Sequence, residues 1–458
     1  MRTVWALAHG PLRGAPGRAR GRAGARLTPG VLAVVGFAVT TAFALSVVGG
    51  LLGFTGRAED PTSALMADLA PTYVTLAWIA VVLLVVPLVT LGAGAARLGV
   101  ARRDARLATL RLLGATGGEV VALTVLETAR QGLVGAAVGV VGYGLLLPVF
   151  SSIPFMGQAF SAGELWVGLP AIGIALAAVP LVAALSAAVS LRRVVVTPLG
   201  VARRTTPPGL RWVRGIAVVL AVVAFAAVAK LNLGMEGAVV TVVLLGLLGL
   251  VLGAINLAGP WLIGLMARLM VRRASTPARL LAGRRLLDDP RAAWRVVAGL
   301  GLGGFVAGIV SVLPAVAQSD GDPASDLLAQ DMLTGGILTL SIAFVVAAAS
   351  AGIAQAASVL DRRQEYALQH LAGVPAELFD AVRRRVVIAP LVLVAGTSAA
   401  VGLGVLLPLF GPALVTAPQG LVVLVLCLLL GGLLVVGAAE TSRPLLRAVL
   451  RETDVRPG

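Results

Sequence analysis

The chain has one cysteine, Cys427, two histidines, His9 and His370, and one lysine, Lys230, among 458 residues. A single cysteine excludes an intrachain disulfide and any metal site built on thiolates. Two histidines leave almost no material for a Ser–His protease or a His-ligated metal. The lysine excludes a second class of chemistry. A phosphate-binding P-loop ends Gly-Lys-Ser/Thr, and Lys230 is followed by Leu231. The chain is therefore expected to be no enzyme: it has no catalytic residues, no metal and no cofactor of its own. Charge is scarce as well. Only 13% of residues are charged and 58% are apolar, which excludes an ordinary soluble domain.

What is present is apolar sequence in long runs. A helix needs ~20 apolar residues to cross the ~30 Å hydrocarbon core. Ten stretches qualify: 30–54, 72–96, 128–150, 165–190, 213–231, 237–258, 295–318, 333–358, 385–410 and 418–438. The fifth is the weakest, being short and ending at Lys230. None alternates with period two, so helices are expected rather than a barrel. The fold class is an all-α polytopic membrane protein.

The net charge of +16 reports orientation. Threaded through ten spans with the N-terminus inside, all but Arg57 and Lys230 of the 37 Lys/Arg fall on the inner side. Nine of the 21 acidic residues fall outside, four of them within Ser319–Asp331. The topology is N-in, C-in, and the basic side is suited to anionic lipid headgroups of the bilayer. This distribution argues against nucleic acid as a partner. The Arg-rich start is expected to be a retained cytoplasmic arm, and the excess of arginine over lysine reads as coding bias. No charge lies deep within a confident span, which argues against an ion-coupled carrier, although hydroxyls such as Thr90 or Ser350 leave that reading open.

Two segments repeat. RRDARLATLRLLGATGGEVVALTVLE (Arg102–Glu127) and LDRRQEYALQHLAGVPAELFDAVRRR (Leu360–Arg385) each precede an apolar run that ends Leu-Leu-Pro-x-Phe, at Phe150 and Phe410. The Arg-Arg pair and the final Phe enclose 49 residues in each copy. Arg102–Leu113 favours helix, Gly114 offers a stop, and Thr116-Gly-Gly-Glu119 fits a capping box that starts the next helix. In the second copy Gly373 offers the stop, with Pro375 as first helical residue and Glu377 in the first turn. Each second helix is expected to run unbroken into its span. From Gly117 to Phe150 that is roughly 50 Å, more than the membrane core requires. The surplus is a protruding inner elbow that docks a partner protein or, with Leu107, Leu110 and Leu113 facing lipid, an anchor on the membrane surface.

The repeat divides the chain into a basic arm (1–29), a four-span block (30–204), a central two-span region (205–294) and a second four-span block with its tail (295–458). Blocks with equal span number and equal orientation imply a pseudo-two-fold axis along the membrane normal. Gly135 and Gly139, Gly249 and Gly253, and the Gly299–Gly304 run read as close helix contacts. Glu127 and Arg130 lie one turn apart at the entrance of the third span. They form a local pair, or Glu127 fixes the elbow's angle. Glu440, ending the last span, reads as a snorkelling or paired terminus.

LATLRLLGATGGEVVALTVLE resembles the signature of the FtsX-like permease family of ABC transporters, and ALQHLAGVPAEL resembles a degenerate second copy. RRVVVTPLGVARR (Arg192–Arg204) is similar to the basic tail that closes such domains. The resemblance implies a permease whose elbows contact a cytoplasmic ABC ATPase, two copies in all, with ATP and Mg bound by that partner. Leu107, Leu110, Arg111, Leu112, Gly114 and Glu119 would form one contact, and Leu368, His370, Leu371, Gly373 and Glu377 the other. The implied work is export, extraction or mechanical motion at the outer face of a bacterial plasma membrane. Members commonly carry a large outer domain, which the short stretches here do not supply, so an extracytoplasmic partner is an open expectation. An ATP-independent carrier and a non-transporting scaffold or sensor are the competing readings.

Overall fold

A computed structural model describes residues 29–61, 63–101, 116–195, 213–230, 237–312, 323–362, 365, 368–369, 371–410, 418–441 and 443. Eleven helices carry these residues, and nine are long and apolar enough to cross a membrane. In chain order they are α1 (Pro29–Glu59), α2 (Ala64–Ala101), α3 (Gly117–Ser151), α4 (Gly168–Val195), α5 (Val213–Lys230) and α6 (Gly237–Arg272). Then follow α7 (Pro277–Asp288), α8 (Pro290–Val310), α9 (Pro323–Asp361), α10 (Ala376–Phe410) and α11 (Pro418–Glu440). Each of the ten expected spans has its helix. The apolar part of α5, Val213–Ala229, is shorter than the nine others, consistent with its weakness in the sequence. The chain is an all-α polytopic membrane protein.

Two helices differ from expectation in extent or kind. α9 begins at Pro323, so most of the expected acidic outer loop is helix, with Asp326 in its first turn, where a carboxylate is favoured by the unpaired N–H groups. α7 lies in the central region, where only two spans were expected. Thr276 caps it by accepting from the Arg279 N–H, and Asp289 caps the following α8 through the Ala292 N–H at 2.9 Å. Asp-Pro is therefore a punctuation mark between two helices.

Helix packing follows small residues. α1 packs on α2 and α3, and α8 packs on α9 and α10. A Cβ added at Gly135 or Gly139 would strike Phe37 or Thr41 of α1. One added at Gly304 would sit 2.7 Å from the Ala395 carbonyl of α10, and one at Gly299 would strike Ala347 of α9. The Gly299–Gly304 run therefore serves close packing, which makes α8 the most buried span. Gly253 departs from the expectation: nothing lies within 4 Å of a Cβ there, and Gly249 has only a Val82 methyl at 3.8 Å. Spacing alone did not reveal which face of α6 meets a neighbour.

α2 and α9 meet each other directly, and each also touches the first helix of the other four-helix group, α2 with α8 and α9 with α1. The central pair α5–α6 packs beside them through α6–α8, α6–α2 and α5–α10 contacts.

Candidate functional site: two inner elbows and an outer clasp

The helices that leave the elbows are continuous. α3 and α10 each have 35 residues, or roughly 52 Å at about 1.5 Å per residue. α3 starts with the expected capping box. The Thr116 N–H donates to Glu119 Oε2 at 3.0 Å, and the Glu119 N–H donates back to Thr116 Oγ1 at 3.4 Å. The hydrogen bonds from Thr116, its backbone N–H first, hold the Glu119 carboxyl below its usual range. Leu107, Leu110, Arg111, Leu112 and Gly114 lie outside the described residues, as does His370.

The second elbow closes on Gly373, whose φ of +84° is the left-handed conformation that glycine alone adopts without cost. The Val374 N–H donates to the Gln369 carbonyl at 3.1 Å, the six-to-one bond of a Schellman cap. Pro375 stands one residue ahead of the first helical residue, Ala376, and Glu377 is in the first turn as expected. Leu368 and Leu371 are 68% and 66% exposed, an apolar pair turned away from the bundle.

About two turns further along, α10 is locked in place by charge. Arg383, only 5% exposed, donates from Nη2 to Glu440 Oε2 at 2.6 Å and from Nη1 to the Ala439 carbonyl at 3.2 Å. Arg384 reaches the other Glu440 oxygen at 3.3 Å, and Arg443 binds Asp380 at 3.2 Å. Arg385 donates to the hydroxyl of Thr276, the cap of α7, at 2.9 Å. Glu440 is thus a paired terminus, and the elbow end of α10 is tied to α11 and α7. In the first group Glu127 is half-buried and Arg130 exposed on α3.

On the opposite side, residues 152–167 fold into a compact clasp that sequence reasoning missed. Strands β1 (Pro154–Phe155) and β2 (Gln158–Ala159) pair antiparallel across a two-residue turn. Met156 and Gly157, at φ 58° and 75°, supply the left-handed pair that a type I′ turn requires. Arg57 of α1 organises this loop. Its Nε donates to Glu164 Oε1 at 2.7 Å, and its Nη atoms donate to the carbonyls of Phe155, Gln158 and Ala159. The guanidinium also lies 3.8 Å from the centroid of the Phe160 ring. The Arg57 hydrogen bond, with further bonds from Ser161, holds the Glu164 carboxyl down at about 2. Tyr143 of α3 anchors the end of the loop, donating to the Leu165 carbonyl at 2.7 Å and accepting from the Val167 N–H at 3.1 Å.

The clasp also reaches the other helix group. Asp331 of α9, 7% exposed, accepts from the Met156 N–H and the Tyr73 hydroxyl, each at 2.6 Å. Phe54 fills the space beneath, against Tyr73, Phe155 and Phe160. The available signal was Arg57 itself, a lone outer arginine facing a loop with the turn-forming Met-Gly and one carboxylate.

Nine candidate spans among the described residues, with the starts of α3 and α10 on one side and a small clasp on the other, describe a multi-pass membrane protein. The family model described as FtsX-like permease C-terminal matches residues 95–198, from the last turns of α2 through α4, and the chain carries an FtsX-like permease domain over that range. Comparison with curated proteins gave no match.

Proposed function

We propose that the chain is the membrane-spanning subunit of an ABC-type system in a bacterial plasma membrane, driven by a separate cytoplasmic ATPase. The observation that carries this reading is the family match over 95–198, whose inner portion is the first elbow. Two ATPase copies follow from two elbows related by a repeat. Supporting the repeat, α3 and α10 have equal length, and α2 meets α9 with reciprocal contacts to α1 and α8, the pattern a two-fold relation would generate. Supporting docking, Leu368 and Leu371 leave apolar surface exposed at the second elbow.

The coupling proceeds through rigid bodies. ATPase closure displaces an elbow, and a continuous helix of roughly 52 Å carries that displacement to the outer face. α3 delivers it through Tyr143 to the clasp, and Asp331 shares it with α9. The output is mechanical work, extraction or export at the outer surface, with ATP and Mg held by the partner.

The test is affinity purification from native membranes with mass spectrometry of what accompanies the chain. An ABC ATPase near two copies per chain is expected. Charge reversal at Arg111 combined with Gly114→Pro should abolish that association while membrane insertion persists. Normal co-purification of this variant would overturn the assignment. The same experiment identifies any extracytoplasmic partner at the clasp.

A further inference from the structure

A cavity of about 890 Å³ lies among α2, α5, α6, α7, α8, α9 and α10, at the end of the bundle that holds the elbows. Its chemistry is divided. Arg214, Arg285, Arg291, Arg295, Arg362 and Arg383 line it, drawn from α5, α7, α8, α10 and the turn that follows α9, and among the described residues Asp289 is the only carboxylate on its wall. That carboxylate is engaged in capping α8. Some of the arginines are neutralised: Arg383 by Glu440, Arg362 by Glu365 at 3.8 Å, and Arg295 weakly by Asp289 at 3.9 Å. Arg214 and Arg291 have no carboxylate partner among the described residues. Among the described residues, positive charge therefore exceeds what the neighbouring carboxylates balance.

The remaining wall is largely apolar and reaches the flank of the bundle. Val89 of α2 and Leu257 of α6 line it while 62% and 54% exposed. Thr90 and Ser350, the hydroxyls expected to matter only in a carrier, line it too, beside Asn256 and the buried Gln355. Concentrated guanidinium groups beside an apolar wall, at the basic membrane face, match an amphiphile with a phosphate head. Guanidinium binds phosphate through paired hydrogen bonds that a point charge does not make. A volume of this size also exceeds what a bare phosphate fills.

We propose that this cavity binds one anionic phospholipid from the inner leaflet. Its phosphate lies at the arginine end, and an acyl chain lies along Val89 and Leu257. The site adjoins α2, α8, α9 and α10, so the bound lipid is a structural wedge where the two helix groups meet. This proposal is independent of the ATPase reading.

The experiment is native mass spectrometry of the full chain, delipidated in detergent and then titrated with phosphatidylglycerol or phosphatidylcholine. Phosphatidylglycerol should be retained about tenfold more strongly than phosphatidylcholine. R214Q/R291Q should erase that preference, and millimolar inorganic phosphate should leave the lipid in place. Equal retention of the two lipids, or an unchanged preference in the double variant, would overturn the site. Displacement by inorganic phosphate would overturn the lipid assignment in favour of a soluble phosphate. Should the double variant not fold, Leu257→Trp, which fills the apolar mouth, must weaken retention, and unaltered binding in that variant also refutes the proposal.

Discussion

The hydroxyl of Tyr73 on α2 donates to Asp331 on α9 across 2.6 Å, joining the second helix of one four-span group to the second helix of the other at their outer ends. The same carboxylate oxygen accepts from the Met156 N–H of the clasp. Three separate parts of the chain, α2, α9 and the clasp, therefore meet at one buried acidic group.

Tyr73→Phe removes the hydroxyl and keeps the ring that stacks on Phe54. Loss of a hydrogen bond to a charged acceptor costs about 2 kcal/mol. Thermal unfolding in nanodiscs should show that loss. A double-mutant cycle with Asp331→Asn should return a coupling of similar size, and additivity of the two changes would refute the link.

The clasp should be acid-sensitive through Glu164. Its carboxyl is held at about 2 in the folded protein against an ordinary value of 4.5. A depressed value means that the carboxylate stabilises the fold fully above the ordinary value and loses that contribution as pH falls toward about 2. Partial exposure lets solvent screen the pair, so the effect is modest. Limited proteolysis of the 152–167 segment should accelerate across that pH window in the native protein. Glu164→Gln should cleave faster at neutral pH and show no further acceleration from this group.

Packing makes a paired prediction. Gly304→Ala places a Cβ 2.7 Å from the Ala395 carbonyl, and backbone cannot step aside as a side chain does. The α8–α10 pair should lose about 1–3 kcal/mol. Gly253→Ala meets nothing within 4 Å and removes a flexible residue from a helix, so it should be neutral or stabilising by up to ~1 kcal/mol. Equal unfolding midpoints for the two variants would contradict this account of α8.

Gly373→Ala strains the second elbow alone, because φ is +84° there. The penalty for a side chain in that region should raise hydrogen exchange at the Val374 N–H about tenfold. Exchange in α8 should stay as in the parent protein. If the elbow docks an ATPase, this variant also weakens co-purification while remaining folded.

The sequence by itself determined the parts whose causes are local. Long apolar runs made the spans, uneven arginine implied their orientation, and residues three apart made the Thr116–Glu119 box. The Gly373 break was equally legible, because a left-handed cap needs only its own glycine and the helix before it. Tertiary structure decided what depends on distant partners. Arg57 meets Glu164 across 107 positions and Tyr73 meets Asp331 across 258, separations at which no periodicity or spacing carries information. The same reason separates Gly304, pressed against a neighbouring backbone, from Gly253, which faces open space. A glycine's spacing records that a close approach is permitted, and only the packed bundle supplies the neighbour. The basic cavity belongs with these: its six arginines were counted in the sequence as an orientation signal, and the fold gathered them from four helices and the turn after α9 around one space.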